Sequence, residues 1–298
     1  MSMSIIKKIQ SALSARLSRL WEMTLYIPEI ISPKGYLFVQ YAIPYRIKDN
    51  YNWGDDVNKY LVEKLSGKKV IPYQCAQRKH THYVCIGSVL QWHSDEDAIV
   101  WGTGLREPHS VRSCKKILAV RGPLTRAELI TQGFECPEVY GDPVLLMPLF
   151  YKPVIKKQYV IGVIPHFSEL DTFFVQKLLN RNDVHFIDIK HYGTYEHFVD
   201  EILSCEYILS SSLHGCIVSD AYEVPNLWCQ FTDYKAESDG FKFKDYYQSV
   251  HKSIESPYDM RQIDELSDII NVVNNHWTKN EIDLELLLSC CPFRNGKR

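Results

Sequence analysis

No run of about 18 consecutive apolar residues occurs in the chain, so no membrane-crossing helix is expected. No N-terminal apolar core followed by a small-residue cleavage site is present, so no export signal is expected either. Charge of one sign is also missing: 34 Lys and Arg stand against 36 Asp and Glu, a formal net charge of -2. Without a global basic field, nucleic acid is not expected as a partner. The nine cysteines form no C-x-x-C pair and have no histidines at metal-ligand spacing, which argues against a zinc site and, with their odd number, against a disulfide framework. Free thiols and a cytoplasmic setting are the simple reading. Neither a low-complexity stretch nor an internal sequence repeat is visible, which speaks against disorder and solenoids.

What remains is the composition of a folded protein, with 45% hydrophobic and 23% charged residues over 298 positions, about twice an ordinary domain. Apolar runs read as strands at 35–41, 70–73, 83–86, 99–101, 117–120 and 137–140. A second series follows at 159–164, 184–189, 206–209 and 226–229. Helical segments lie between them. One is capped by Asn52 or Asp55 and closed by Gly67; another runs from Pro123 to Gln132. Ser168 with Asp171, Thr194, and a capping box of Thr278 with Glu281 mark further starts, and a terminal helix is expected over 260–276. Alternation of this kind predicts an α/β protein with two Rossmann-like parallel-sheet domains facing a central cleft. The expected division is 1–34 as a lead-in, 35–152 as the first domain and 153–298 as the second, terminal helices included.

The lead-in carries Ile5, Ile9, Leu13, Leu17, Leu20 and Trp21 at helical spacing, with Lys7, Lys8, Arg16 and Arg19 on the other face. Residues 4–22 thus suit peripheral contact with the inner face of the cytoplasmic membrane. The other reading is that the stripe docks on its own domain or on a sister subunit of a homo-oligomer.

Several polar groups fall where an apolar run gives way to a turn. In Ser210-Ser211-Ser212-Leu213-His214-Gly215 a strand passes through small residues into a helix, an arrangement that builds anion sites from helix-initial N–H groups. Arg121 follows a strand and precedes Pro123, and its guanidinium suits a carboxylate or phosphate. Arg126 lies one turn further. Asp55 and Asp56 are more carboxylates than a helix cap needs, so one is free to take a proton from a sugar hydroxyl or to bind hydroxyls. Gly102-Thr103-Gly104 reads equally as a phosphate-approaching loop or as tight packing, and Asp142 before Pro143 reads as structural.

Taken in order, Asn52-Trp53-Gly54-Asp55-Asp56, Trp101-Gly102-Thr103-Gly104, Arg121 to Arg126, Gly141-Asp142-Pro143, Gly162 to His166, Ser211-Ser212-Leu213-His214-Gly215 and Phe241 to Tyr246 resemble the polysaccharide pyruvyl transferase family over residues 35–250. The resemblance implies two halves arranged as in GT-B glycosyltransferases. It implies transfer of a pyruvyl group from phosphoenolpyruvate to a sugar as a cyclic ketal, with phosphoenolpyruvate a co-substrate; no metal site is visible in the sequence and no cofactor is expected. It matches Arg121, in the R-x-x-x-S/T segment, and Leu213-His214, in the S-x-L-H-G segment, to the family's donor-binding elements; taken with the residue reading above, His214 and Asp55 are assigned to catalysis and Arg121, Arg126, Ser212, Leu213 and Gly215 to the donor. The acceptor, a glycan or lipid-linked oligosaccharide, falls to Asn52, Asp56 and His166. Lys242 and Lys244 are secondary candidates for an anion contact. Family members often carry Asp after the first Arg and sometimes a second Arg in the serine turn, where this chain has Gly122 and Ser212. Two other readings compete: a nucleotide-sugar glycosyltransferase, marked by stabilisation with UDP- or GDP-sugars, and a non-catalytic scaffold, towards which Gly122 leans.

Overall fold

The computed structural model describes residues 20, 24, 35–42, 52–76, 79–232, 237–263 and 265–293. The amphipathic stripe over 4–22 therefore lies, Leu20 apart, outside the described residues. No helix among the described residues is long and apolar enough to cross a membrane.

Two parallel sheets organise the chain. The first contains β1 (Tyr36–Val39), β2 (Lys69–Pro72), β3 (His82–Val84), β4 (Ala98–Trp101) and β5 (Lys116–Ala119), in the order β2-β1-β3-β4-β5. The second contains β6 (Tyr159–Ile164), β7 (Val184–Phe186), β8 (Cys205–Ser210), β9 (Asn226–Gln230) and β10 (Tyr258–Asp259), in the order β7-β6-β8-β9-β10. Counted within its own half, each sheet therefore runs 2-1-3-4-5. This is a doubly wound order whose connections diverge between the first and third strands. All pairings are parallel. Strands covered on both faces must be apolar almost throughout, as Ile208-Leu209 and Val163-Ile164 are.

The helices start and stop for local reasons. In α1 (Trp53–Ser66) the Asn52 side chain accepts from the Gly54 N–H at 3.0 Å, two acidic residues occupy the first turn, and Gly67 at φ +65° ends the run. A short α2 (Leu90–His93) follows β3, and α3 (Pro123–Thr131) opens on proline after β5. In the second half come α4 (Phe173–Leu179), α5 (Tyr195–Leu203), α6 (Leu213–Ala221), α7 (Glu237–Ser249), α8 (Leu266–His276) and α9 (Leu284–Ser289).

The two sheets share one apolar core, which joins Val39 and Trp53 to Ile208 and Trp228. The Trp53 indole N–H donates to the Tyr195 carbonyl at 3.2 Å, and its ring stacks on Phe198 at 4.8 Å. The chain end then crosses back: the Trp101 indole donates to the Leu287 carbonyl at 3.0 Å, and Phe293 meets Tyr83 and Trp101 edge-on. The chain end, α9 included, thus packs against residues of the first sheet although it follows the second in sequence.

Other expectations change too. Residues 137–140 contribute one bridge, Val120 to Tyr140, instead of a strand; Pro137 has no N–H to give a ladder. The Thr278 box opens no helix, since residues 277–283 are irregular and Asp283 caps α9 by accepting from the Glu285 N–H. Residues 260–262 form a separate 3-10 turn ahead of α8, and Ser168 to Asp171 form turns before α4. α7 and β10 were not expected.

α7 ties the halves together through charge. Asp245, fully buried, accepts from Arg121 Nε at 3.0 Å, from the Thr125 N–H at 2.8 Å and from the Thr125 hydroxyl at 2.7 Å. A Cβ on Gly122 would lie 1.8 Å from the Asp245 carbonyl oxygen, so α7 seats only against a glycine. Removing one partner of a buried pair strands the other in a medium that cannot solvate it. Asp245→Ala is expected to cost roughly 3–5 kcal/mol in urea denaturation, and Arg121→Met with Asp245→Leu less than either single change. A loss under about 1 kcal/mol for Asp245→Ala would show that the pair does not join the halves.

Candidate functional site

Where connections leave a doubly wound sheet in opposite directions, a crevice opens at the carboxyl ends of the strands. Residues that follow strands of both sheets line one space. Asn52 follows β1 and Ser88 follows β3; His166 follows β6, and Ser212, Leu213 and His214 follow β8. All six line one cavity of about 690 Å³. That volume suits a small organic ligand. Lys242 on α7 and Arg106, beyond β4, complete its charged lining, while Trp92, more than half exposed, stands at its edge.

His214 sits in the first turn of α6, nine-tenths buried. Its Nε2 lies 3.7 Å from Asp142 Oδ2, too far for a hydrogen bond, and neither atom has a hydrogen-bond partner. The other Asp142 oxygen accepts from the Val144 N–H at 3.0 Å, which fixes the carboxylate behind the imidazole. Gly54 holds the ring from the front: a Cβ there would lie 2.0 Å from His214 Nδ1. The glycine of the Trp53-Gly54-Asp55 turn is therefore a packing requirement of the histidine in the other half.

Asp55 keeps part of its surface open to the cavity and is otherwise enclosed by protein. Burial pushes its pKa up to about 6, the neighbouring His214 and Lys242 pull it down, and Asp56 adds to the rise. A carboxylate near that value accepts protons better than an ordinary aspartate and is still mostly ionised at neutral pH.

Of the residues expected at the site, Asn52, Asp55, His166, Ser212, Leu213 and His214 line the cavity. Four do not. Asp56 turns away and accepts from the Tyr192 hydroxyl. Gly215 is packed against Ser210 Oγ, which a Cβ would meet at 2.3 Å. Arg126 donates to the Cys136 carbonyl at 3.0 Å and pairs with Glu138 at 3.2 Å, bracing the segment after α3. Arg121 is fully buried and pairs with Asp245, and it also donates to the Leu105 carbonyl at 2.6 Å and to Ser88 Oγ. It therefore stands one layer behind the cavity, holding Ser88 and the residue before Arg106. Lys244 pairs with Glu255 at 3.4 Å and does not line the cavity.

Asp142, read from sequence as structural, is the carboxylate behind His214. Its signal was the turn Gly141-Asp142-Pro143, which composition alone could not separate from an ordinary loop. The glycines of Gly102-Thr103-Gly104 serve packing: a Cβ on Gly102 would strike Pro143 at 2.4 Å, and one on Gly104 would strike Arg121 at 2.6 Å. Among the described residues no group of three His, Cys, Asp or Glu side chains is placed to hold a metal ion.

Comparison with known proteins places the chain in a family. The sequence profile described as polysaccharide pyruvyl transferase matches residues 79–230, a stretch that includes Ser88, Arg121, Asp142 and His214. An uncharacterised protein of Acanthamoeba polyphaga mimivirus is 30% identical over 212 residues, spanning 68% of this chain and 72% of that protein. A crystal structure of a functionally uncharacterised protein from Klebsiella pneumoniae subsp. pneumoniae aligns at a TM-score of 0.46 with 12% identity, over 79% of this chain and 97% of that one. With more than half its length matched by the profile, the chain belongs to the polysaccharide pyruvyl transferase family.

Proposed function

We propose that this protein moves a pyruvyl group from phosphoenolpyruvate onto two hydroxyls of a sugar, in a cell-surface polysaccharide or its lipid-linked repeat unit, forming a cyclic ketal. The observation that carries the reading is His214. Its nine-tenths buried imidazole has an unsatisfied Nε2, opens a helix, and shares a two-sided cavity with the carboxylate of Asp55. On this reading the protein works in the cytoplasm at the inner membrane face, with residues 4–22 as its contact.

The chemistry assigns roles. The enol carbon of phosphoenolpyruvate takes a proton at its methylene group, leaving a cationic C2. A sugar hydroxyl adds to C2 and gives up its proton, phosphate departs, and a second hydroxyl closes the ring with loss of its own proton. Two protons are released by the sugar; one replaces that taken by the methylene carbon and the other leaves with phosphate. His214 is the proton carrier beside the donor, since an imidazole exchanges protons near neutral pH. The Asp142 carboxylate stands 3.7 Å behind the imidazole Nε2. Asp55 receives the hydroxyl proton, its raised pKa making it the stronger base.

Purified full-length chain with phosphoenolpyruvate and a panel of glycan or lipid-linked acceptors should release inorganic phosphate only when donor and a suitable acceptor are both present. His214→Ala should lower the rate by roughly 10²–10⁴-fold. Stabilisation by UDP- or GDP-sugars with no response to phosphoenolpyruvate would overturn the reading.

Asp55 gives a second test, with opposite signs for activity and stability. Its pKa in the fold, about 6, exceeds the ordinary 3.8, so the stability it lends as a neutral acid is present below about pH 4 and lost as pH rises through 6. Asp55→Asn should stabilise the protein by roughly 1–3 kcal/mol at pH 7–8, allowing for cavity solvent, and not at pH 4. The same change should abolish turnover. In the unaltered protein, turnover should fall as pH drops below about 6. A pH-independent stability difference would remove Asp55 from the role of base.

A further inference from the structure

A donor that carries both a carboxylate and a phosphate needs fixed positive charge, and the arginine the sequence points to cannot supply it. Arg121 is fully buried and holds Asp245, the Leu105 carbonyl and Ser88. Among the described residues lining the cavity, the permanent cations are Arg106 and Lys242. They come from different halves. Arg106 stands beyond β4 on a backbone held by its own N–H, which donates to Gln91 Oε1 at 3.1 Å. Lys242 lies on α7, its Nζ 5.5 Å from the Phe243 ring, and its charge acts on Asp55.

Resting on the phosphoenolpyruvate reading, we infer that the donor anion is gripped by Arg106 from one half and Lys242 from the other, at the mouth of α6. The start of that helix adds a third element. Ser212 forms no side-chain cap there, and the opening N–H groups have no partner within a helix. The His214 side chain lines the same cavity from that turn, with its unpartnered, buried Nε2 turned back towards Asp142. Arg121 then acts as a positioning residue. By donating to Ser88 Oγ it leaves the Ser88 proton free to point elsewhere, and through Leu105 it fixes the loop that carries Arg106.

The grip has a consequence for domain geometry. Arg106 belongs to the first sheet's loops and Lys242 to the helix that the Arg121–Asp245 pair clamps onto that sheet, so one buried ion pair sets the spacing of the two anion contacts. Arg is suited to a planar carboxylate or a phosphate edge by two parallel hydrogen bonds, Lys to a phosphate as a point charge.

Calorimetric titration of the full-length chain with inorganic phosphate and with phosphoenolpyruvate tests this. Arg106→Ala and Lys242→Ala should each weaken both anions by roughly 10- to 100-fold. Arg106→Lys and Lys242→Arg should keep most of the affinity, which separates lost charge from lost fold, and affinity should drop with added salt. Lys244→Ala, two residues on from Lys242 and paired with Glu255, should stay within about twofold of the parent. In turnover assays the alanine variants should raise KM for phosphoenolpyruvate far more than they lower kcat. Unchanged affinity in both alanine variants, an equal loss in Lys244→Ala, or no binding of either anion by the parent chain would overturn the grip. If the parent binds phosphate through these two residues but transfers nothing from phosphoenolpyruvate, the grip stands and pyruvyl transfer is wrong. If turnover proceeds with KM unmoved in both variants, transfer stands and the grip is wrong.

Discussion

A guanidinium buried away from water must meet its counter-charge inside the protein, and for Arg121 that counter-charge comes from the other half of the chain. The Arg121–Asp245 contact at 2.9 Å, with both side chains fully buried, pulls α7 against the start of α3. It dictates several features that look unrelated in sequence. Gly122 is glycine because the Asp245 backbone occupies the place of a side chain. Thr125 spends both its N–H and its hydroxyl on the same carboxylate. Gly104 is glycine because the guanidinium lies over it. Ser88, which lines the cavity, receives a hydrogen bond from the same group, and so does the residue preceding Arg106. Net gain from such a pair is small against an apolar substitute, but its directionality fixes one relative placement of the parts.

This explains a departure from the family pattern. An aspartate after Arg121 would put a carboxylate beside the guanidinium; here Asp245 delivers that carboxylate from α7, and an aspartate at 122 would have no room. The glycine that leaned towards an inactive scaffold is the packing counterpart of the interdomain clamp.

The alternation of strands and helices was legible because buried parallel strands must be apolar runs and helix ends need caps: β1, α1, β6 and β8 all fall where Tyr36–Val39, Asn52, Tyr159–Ile164 and Cys205–Ser210 announce them. α7 was not legible. Its residues from Phe241 to Ser249 mix buried aromatics with Lys242, Lys244 and a buried Asp245, a pattern that makes sense only when the surface of another domain is known. The returning α9 is six residues long and packs on the first sheet, and local pattern carries no information about such distant partners. At the site, the expected residues whose backbone position follows a strand directly line the cavity, as His214, Ser212 and His166 do. Asp56 and Arg126 lie off the cavity because neighbouring positions on a helix face different ways. Arg121 was assigned to the right neighbourhood and the wrong layer, since sequence gives the strand end but not depth.

The matching 2-1-3-4-5 order of the two sheets leaves no trace as sequence repetition, yet it decides where the chemistry sits. Each order makes one crevice, and a crevice by itself offers a helix start and a few loop groups to one face of a ligand. Two crevices pressed together can surround a ligand, but only if each half shapes the other's residues. Gly54 does this for His214, and Asp142, from the first half, stands behind the same imidazole. The histidine is therefore sequentially part of the second half and sterically part of the first. Its unsatisfied Nε2, the unsatisfied Oδ2 of Asp142 and the raised pKa of Asp55 are all unfavourable for folding, and all three lie at the meeting of the halves. A shared apolar core and one clamped ion pair offset that cost, and they hold these groups in place instead of letting them relax towards water.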